Sequence, residues 1–331
     1  MKIIIPLAGY GTRIRPLTFS RPRALLQLSG NTILGHSLNL MADLLLDNEV
    51  IFVLGYKGEM VEAWVRENYP DLNATFVWQI GTGQADALWQ CRDYMTDEDL
   101  LVVSGDVIVQ TRYEQIKETE ADVICFVDKS ERMGTLGVVA IDDTNHVTQF
   151  TDDETVANAQ AVAGVYWFRQ GHMLRSALEQ CIENGRTELL DACKALLAEG
   201  TMIEAKFAHF GIQIFDPLSL FHANARLLGL GYGTDDAIDR SYAEDFTALP
   251  PVFLDDSAEI DSCVLGPYVH IGADAVVRHC IIRNSIIEAG AVVENCLLDG
   301  AVVGKNGRIT GQFNSIFVSD ESTINLGFRD A

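Results

Sequence analysis

The chain has no apolar run approaching the roughly 18 residues of a membrane-spanning helix. It has no Cys-x-x-Cys pair and no Asp or Glu anywhere in residues 1–42. The first absence argues against a membrane partner. The second concerns an odd, scattered set of thiols: Cys91, Cys125, Cys181, Cys193, Cys263, Cys280 and Cys296. Such a set fits reduced thiols in the cytoplasm better than a disulfide framework or a zinc site. Positive charge is also scarce. Lys plus Arg total 24 against 47 Asp plus Glu, a net charge of −23, which disfavours nucleic acid and anionic membrane surfaces as partners. The opening MKIIIPLAGYGTR lacks a signal cleavage pattern and reads as strand and loop.

The acid-free segment is the first positive clue. It carries Lys2, Arg13, Arg15, Arg21 and Arg23. Five cations in one stretch of so acidic a chain are expected to face an anionic ligand; pairing with acidic surface elsewhere is the plainer alternative. At 331 residues, with 48% apolar and 21% charged residues, the chain reads as about two ordinary globular domains.

Strands are expected at Lys2–Pro6, Val50–Leu54, Thr75–Trp78, Leu100–Val103, Val123–Val127, Gly137–Ile141 and Val162–Phe168. Helices are expected from Ile33 to about Leu46 and at Glu59–Glu67, Ala85–Tyr94, His172–Glu183 and Thr187–Leu197. Strands alternating with helices imply an α/β, Rossmann-like domain with a mixed, mainly parallel sheet. Ligands of such sheets sit at the carboxyl ends of the strands, so the loops Ala8–Arg15 and Gly105–Val107 are expected to share a cleft. Trp78 and Trp89 read as core. The acidic stretch Gly231–Asp245, holding Asp235, Asp236, Asp239 and Glu244, lacks the central Gly and terminal Glu of a calcium loop. It reads as a solvated linker. The expected division is 1–230, a linker over 231–251, and a second domain over 252–331.

In the last part the pattern changes. Val276-Val277, Ile281-Ile282 and Ile286-Ile287 recur sixteen residues later as Val292-Val293, Leu297-Leu298 and Val302-Val303. Val264-Leu265 and Ile316-Phe317 extend the rhythm. Three short strands per coil, stacked in roughly four coils, give a parallel β-helix. Cys263, Cys280 and Cys296, with Ser315 next, form a ladder of small residues at one turn. No His or carboxylate recurs beside them to make a metal site. His270 and His279 could in principle act as bases for acyl transfer, but a coil histidine more often stacks, and four coils are few.

The chemistry concentrates in Ala8-Gly9-Tyr10-Gly11-Thr12-Arg13. Two glycines after a strand let the backbone turn tightly and present N–H groups to an oxyanion. Arg13 and Arg15 add fixed charge. The loop is neither a P-loop nor a dinucleotide Gly-x-Gly-x-x-Gly. With the acid-free segment it argues for a phosphate or pyrophosphate cradle.

Pro6-Leu7-Ala8-Gly9-Tyr10-Gly11-Thr12-Arg13-Ile14-Arg15-Pro16-Leu17-Thr18 resembles the signature loop of the sugar-1-phosphate nucleotidyltransferases. Gln79 with Gly83-Gln84-Ala85-Asp86-Ala87-Leu88 resembles that family's base-reading segment. Gly105-Asp106 resembles its magnesium carboxylate. Leu136-Gly137-Val138-Val139 and Ala163-Gly164-Val165-Tyr166 resemble its sugar-side strands. Many members carry a left-handed β-helix after the catalytic domain. The resemblance implies that a sugar phosphate oxygen attacks the α-phosphorus of a nucleoside triphosphate and pyrophosphate leaves. Ala8, Gly9, Gly11, Thr12, Gln79, Gly83 and Gln84 would bind nucleotide. Gly137 and Gly164 would flank the sugar 1-phosphate, Arg13, Arg23 and Asp106 would act at the reacting centre, and Asp106 would hold Mg2+.

The departures from that pattern are equally specific. Arg23 stands where the family has Lys. Thr151-Asp152-Asp153 replaces a Glu-Lys-Pro and brings negative charge towards a bound phosphate. Gln213 stands where a second magnesium-binding Asp is implied, and Phe215 where a Gly is. These changes imply an altered active site. The alternative is a silent subunit that binds a nucleotide or nucleotide-sugar and pairs with an active paralogue. Homo- or hetero-oligomers are expected through the β-helix.

Overall fold

The computed structural model describes residues 1–79, 83–128, 136–151, 153, 155–156, 158–234, 240 and 245–312. Asp152, Asp235, Asp236, Asp239, Glu244, Ser315, Ile316 and Phe317, singled out above, lie outside the described residues. The chain divides into two units, Met1–Gly233 and Thr234–Ala331.

The first unit runs β1 (Lys2–Pro6), a hairpin of β2 (Gln27–Leu28) and β3 (Asn31–Thr32), α1 (Ile33–Leu40), α2 (Ala42–Leu45), β4 (Glu49–Leu54), α3 (Gly58–Asn68) and β5 (Ala74–Trp78). It continues with α4 (Gln84–Trp89), β6 (Leu100–Val103), β7 (Val107–Gln110), β8 (Val123–Asp128), β9 (Val138–Ile141), β10 (Val147–Thr151) and β11 (Ala159–Phe168). It closes with α5 (Gly171–Glu183), α6 (Leu189–Ala198), β12 (Ile203–Phe207), β13 (Phe210–Gln213) and α7 (Pro217–Gly229).

The main sheet has the order β10-β9-β11-β6-β1-β4-β5, with β8 paired to β11 and β12. Strands β6, β1, β4 and β5 are mutually parallel. The long strand β11 runs antiparallel to β6 and makes the sheet mixed. The parallel strands are near-continuous apolar runs because helices cover both of their faces. Alternate residues go to opposite layers. Ile4, Ile51, Val53 and Val102 pack with Leu88, Leu174, Leu178 and Leu196 from α4, α5 and α6. Ile3, Ile5, Phe52 and Val103 pack with Leu34, Leu38, Val61 and Val65 from α1 and α3.

Several local features differ from the sequence reading, among them the helix expected over Ala85–Tyr94, which ends at Trp89 and gives way to a 3-10 turn, Arg92–Tyr94. The helix expected from Ile33 to Leu46 breaks at Met41 (φ −119°, ψ 22°) into α1 and α2. Strand β7, which the sequence reading left unassigned, pairs antiparallel with β13 and sets Val107 opposite Gln213.

In the second unit three parallel sheets of four strands each build four coils among the described residues. Cys263–Leu265, Val269–Ile271 and Val276–Arg278 form one coil. Ile281 pairs with Leu297, Ile286 with Val302 and Val292 with Arg308, a repeat of sixteen. This is the architecture expected of a left-handed β-helix. It begins inside the stretch read as linker, because Phe246–Ala248 already pairs with Cys263–Leu265.

The corners of successive coils use residues in the left-handed region: Ser262, His279 and Asn295 at one, Tyr268, Asn284 and Gly300 at the next, Asp274, Gly290 and Asn306 at the third. His279 is therefore a turn residue, and His270 is buried with its ring stacked 4.9 Å from that of Phe253. The cysteine ladder has a structural account. The thiols of Cys263, Cys280 and Cys296 each donate to the carbonyl two residues earlier, all at 3.1 Å. The backbone N–H groups of Cys280 and Cys296 donate to the sulfur one coil below at 3.4 Å. Ser285 repeats the arrangement at another corner, donating to Arg283 O and accepting from Ala301 N. All seven cysteines are free thiols.

Candidate active site

The parallel strands β1, β4, β5 and β6 deliver their carboxyl ends to one rim, where a doubly wound sheet binds ligands. Glycine makes the close approach of these ends possible. A Cβ on Gly55 would lie 2.6 Å from Ala8 O, and one on Gly105 would lie 2.4 Å from Pro6 O. Tyr56 N donates to Ala8 O at 3.3 Å and its hydroxyl to Thr18 O at 3.0 Å, which ties the loop after β4 to the loop after β1. Gly11 takes the left-handed conformation (φ 59°). Its carbonyl accepts from Thr18 Oγ1 at 2.9 Å and from Ile14 N at 3.2 Å.

These loops enclose a cleft of about 620 Å³. Ala8, Gly9, Gly11, Thr12, Arg13, Arg23, Gln79, Gly83, Gln84 and Asp106 all line it, although they come from four separate stretches of sequence. Gln213 and Phe215, read as departures, line it too. Gly137 and Gly164 do not. Leu136 and Ser104 line the wall in their place, and a Cβ on Gly164 would meet Leu136 Cδ1 at 3.0 Å and Ser104 Cβ at 3.3 Å.

Lining residues that escaped the sequence reading include Gly55, Tyr56, Trp78 and Glu188. Trp78 corrects an expectation. It is 42% exposed at the end of β5 and lines the cleft, whereas Trp89 packs against the core. The signal that could have found Tyr56 and Trp78 was their position at strand carboxyl ends. A second cavity of about 290 Å³ shares Arg13, Gln84, Ser104, Leu136 and Glu188 with the cleft and adds Asp191 and Lys194.

The five cations of the acid-free segment divide by role. Arg13 and Arg23 line the cleft. Lys2 pairs with Glu49 at 2.9 Å, and the Arg15 guanidinium lies 5.1 Å from the centre of the Phe19 ring. Burial pushes the Arg21 guanidinium down to about 10. The ligand explanation and the surface-pairing explanation thus each account for part of the set. Asp153, expected to oppose a phosphate, is not a lining residue. Its carboxylate accepts from Thr155 N and Oγ1 at 2.9 and 2.7 Å within its own turn.

Gln79 Nε2 donates to Gly83 O at 2.9 Å, and Gln84 Oε1 accepts from Leu189 N at 3.3 Å. Asp106 sits at the end of the loop from β6. Ile214 N donates to its carbonyl at 2.8 Å, continuing the β7–β13 pairing. That register brings Gln213 Nε2 to 3.1 Å from Asp106 Oδ2, and Arg23 Nη2 lies 3.2 Å from the same oxygen. The described side chains by themselves form no Mg2+ cage, and the carboxylate that would ligate the ion is already held by cationic and amide donors. Magnesium requires near-octahedral oxygen ligands, commonly including one or two carboxylates. Here one carboxylate has an oxygen already engaged by two nitrogen donors. Among the described residues no group of three or more His, Cys, Asp or Glu could hold a metal.

The family model described as nucleotidyl transferase matches residues 2–210. The chain belongs to this nucleotidyltransferase family. The nucleotidyltransferase resembles the bifunctional protein GlmU of Methanocaldococcus jannaschii, with 30% identity over 230 residues, 69% of this chain and 54% of that protein. The chain thus spans about half the length of the curated relatives it matches in this way. A UTP–glucose-1-phosphate uridylyltransferase, AglF of Haloferax volcanii, is 28% identical over 62% of this chain and 87% of its own length. Among solved structures, the inositol-1-phosphate CTP transferase from T. maritima shares the fold, with a TM-score of 0.55 at 16% identity. That match covers 66% of this chain and 90% of the other.

Proposed function

We propose that this nucleotidyltransferase joins a nucleoside triphosphate to a sugar 1-phosphate, releasing pyrophosphate and a nucleotide-sugar, at a site whose charged centre is altered. The observation that carries the reading is the convergence of Gly11, Thr12, Arg13, Gln79, Gly83, Gln84 and Asp106 on one cleft. A relative named for uridylyl transfer to glucose 1-phosphate supports the substrate class.

In the reaction an oxygen of the sugar phosphate attacks the α-phosphorus in line. The bond from the α-phosphorus to the bridging oxygen breaks, and pyrophosphate leaves with that electron pair. Such a transfer asks the protein mainly for position and for charge opposite the phosphates. The backbone from Ala8 to Thr12 and the Arg13 guanidinium hold the triphosphate. Gln79, Gly83 and Gln84 read the base edge. Gly137 and Gly164 shape the sugar side through Leu136 and Ser104. Arg23 supplies charge at the reacting centre.

Incubation with the common nucleoside triphosphates and several hexose 1-phosphates, with and without Mg2+, tests this by pyrophosphate release. Release at ordinary enzyme rates supports transfer; no release with any pair removes it. One observation favours a second reading. Arg23 and Gln213 both occupy the Asp106 carboxylate, as befits a silent subunit that binds a nucleotide or nucleotide-sugar and pairs with an active paralogue in the cytoplasm. Calorimetric binding without turnover, and activity restored on mixing with the paralogue, distinguish it.

A further inference from the structure

Arg23, Asp106 and Gln213 come from three separate stretches of chain, yet the backbone fixes each of them. Arg23 opens a short 3-10 turn, Arg23–Leu25, closed by Leu26 N donating to Arg23 O at 3.0 Å. Gln213 is buried and held opposite Val107 by the β7–β13 pairing. The Asp106 side chain is 14% exposed. The contacts of 3.2 Å and 3.1 Å on Oδ2 therefore belong to the built interior of the cleft. They are not a chance pairing of mobile surface groups.

We infer that the Arg23 guanidinium takes the place of a divalent cation at Asp106, so that the cleft binds the pyrophosphate group of a nucleotide-sugar on fixed positive charge, without Mg2+. The inference rests on the reading of the cleft as a nucleotide site. Three physical points carry it. A guanidinium keeps its charge at every working pH, so a dication approaching Oδ2 meets a permanent like charge. Gln213 offers its amide N–H to the carboxylate, and turning its oxygen inward would set one acceptor against another. A guanidinium has five N–H donors in a planar fork suited to phosphate oxygens, more than one carboxylate oxygen accepts. Asp106 then serves as a positioning residue that aims Arg23 into the cleft. The remaining charged side chains that line the cleft among the described residues are Arg13 and Glu188.

Two measurements on the full chain test this. In the first, Mn2+ alone is titrated into the wild-type protein and into an Arg23→Ala/Gln213→Asp variant, with bound ion read by electron paramagnetic resonance. The variant, its fold checked by circular dichroism, should bind Mn2+ at least about tenfold more tightly than wild type. Equal affinity overturns the inference. In the second, UDP-glucose, dTDP-glucose and GDP-mannose are titrated calorimetrically into wild type, once with Mg2+ and once with a chelator. The dissociation constant of whichever binds should agree within about threefold between the two buffers. A loss of about tenfold or more in the chelator overturns the inference and leaves the nucleotide reading intact. Failure of all three to bind in either buffer overturns both. The second arm uses only wild type, so it decides the matter even if the double variant does not fold.

Discussion

The two units use the same awkward backbone conformation for opposite ends. In the β-helix, left-handed residues recur at the corners of successive coils, and most are not glycine: Ser262, His279 and Asn295, for example, are successive versions of one corner. A non-glycine residue there costs roughly 1–2 kcal/mol. The coil above and below offsets it through the repeated hydrogen bonds of the ladder. In the nucleotidyltransferase unit the left-handed residues at the cleft are glycines with little room around them. A Cβ on Gly11 would meet Thr18 Cγ2 at 3.1 Å, and one on Gly83 would meet Thr187 Cβ at 3.0 Å. Repetition lets a fold absorb local strain at many equivalent places. A binding rim made once, from loops of different strands, tolerates no such exchange of residue types.

This contrast can be broken or sharpened experimentally, and the largest effect should come from alkali. Burial pushes the Cys91 thiol from its ordinary value of 9.0 up to about 12, and raises those of Cys125 and Cys193 in the same unit. A thiol held neutral in the folded state contributes stability that is complete below about pH 9 and is lost as pH rises towards 12. For Cys91 alone the loss is on the order of 4 kcal/mol. In the β-helix the directions are mixed, Cys263 being lowered and Cys280 and the less buried Cys296 raised. All four tryptophans lie in the first unit, at positions 64, 78, 89 and 167. Near pH 11, the urea midpoint followed by tryptophan emission should fall further than that followed by far-ultraviolet β-sheet circular dichroism. Equal shifts would erase the distinction between the units.

Next in size is Gly105→Ala, whose Cβ would collide with Pro6 O and Leu7 Cδ2, each at 2.4 Å. It should destabilise the protein by about 2–4 kcal/mol in urea unfolding. Gly300→Ala, left-handed but with nothing within 4 Å of the new Cβ, should cost only about 1 kcal/mol. Arg13→Ala should weaken nucleotide binding about 10- to 100-fold in calorimetry. The unfolding free energy from urea titration should change by less than about 0.5 kcal/mol, since Arg13 is exposed. The smallest effect is expected for Cys280→Ser. Ser285 already fills the same role at a neighbouring corner, so the change should cost under about 1 kcal/mol; a cost of several kcal/mol would mean that sulfur itself matters to the ladder.

Much of the fold was legible because its signals are local. The apolar runs of β1, β4 and β6 and the sixteen-residue period of the coils need no knowledge of distant neighbours. The glycine loop, Gln79, Gln84 and Asp106 could be singled out because each sits in a contiguous motif, and all of them line the cleft. What escaped depends on topology. Gly55, Tyr56 and Trp78 reach the cleft only because β4 and β5 lie beside β1 in the sheet, and Glu188 only because α6 begins there. The sequence marked Arg23 and Gln213 as unusual, but their meeting on one oxygen of Asp106 required the β7–β13 pairing, which has no turn signal to reveal it. The start of the β-helix was placed too late because Phe246–Ala248 is short and flanked by acidic and proline-rich stretches.

The sixteen-residue period has an evolutionary consequence. Ile281 to Leu297, Ile286 to Val302 and Val292 to Arg308 are spaced identically, so a whole turn of the spiral can be duplicated or excised with its neighbours still in frame. Such an event would lengthen or shorten the column by one strand spacing, about 4.8 Å. Single residues can be taken up at a corner, for the earlier coils pair at seventeen, Phe246 with Cys263, Val252 with Val269 and Glu259 with Val276, with the aliphatics still turned inward. The height of this column should therefore change among descendants by whole storeys.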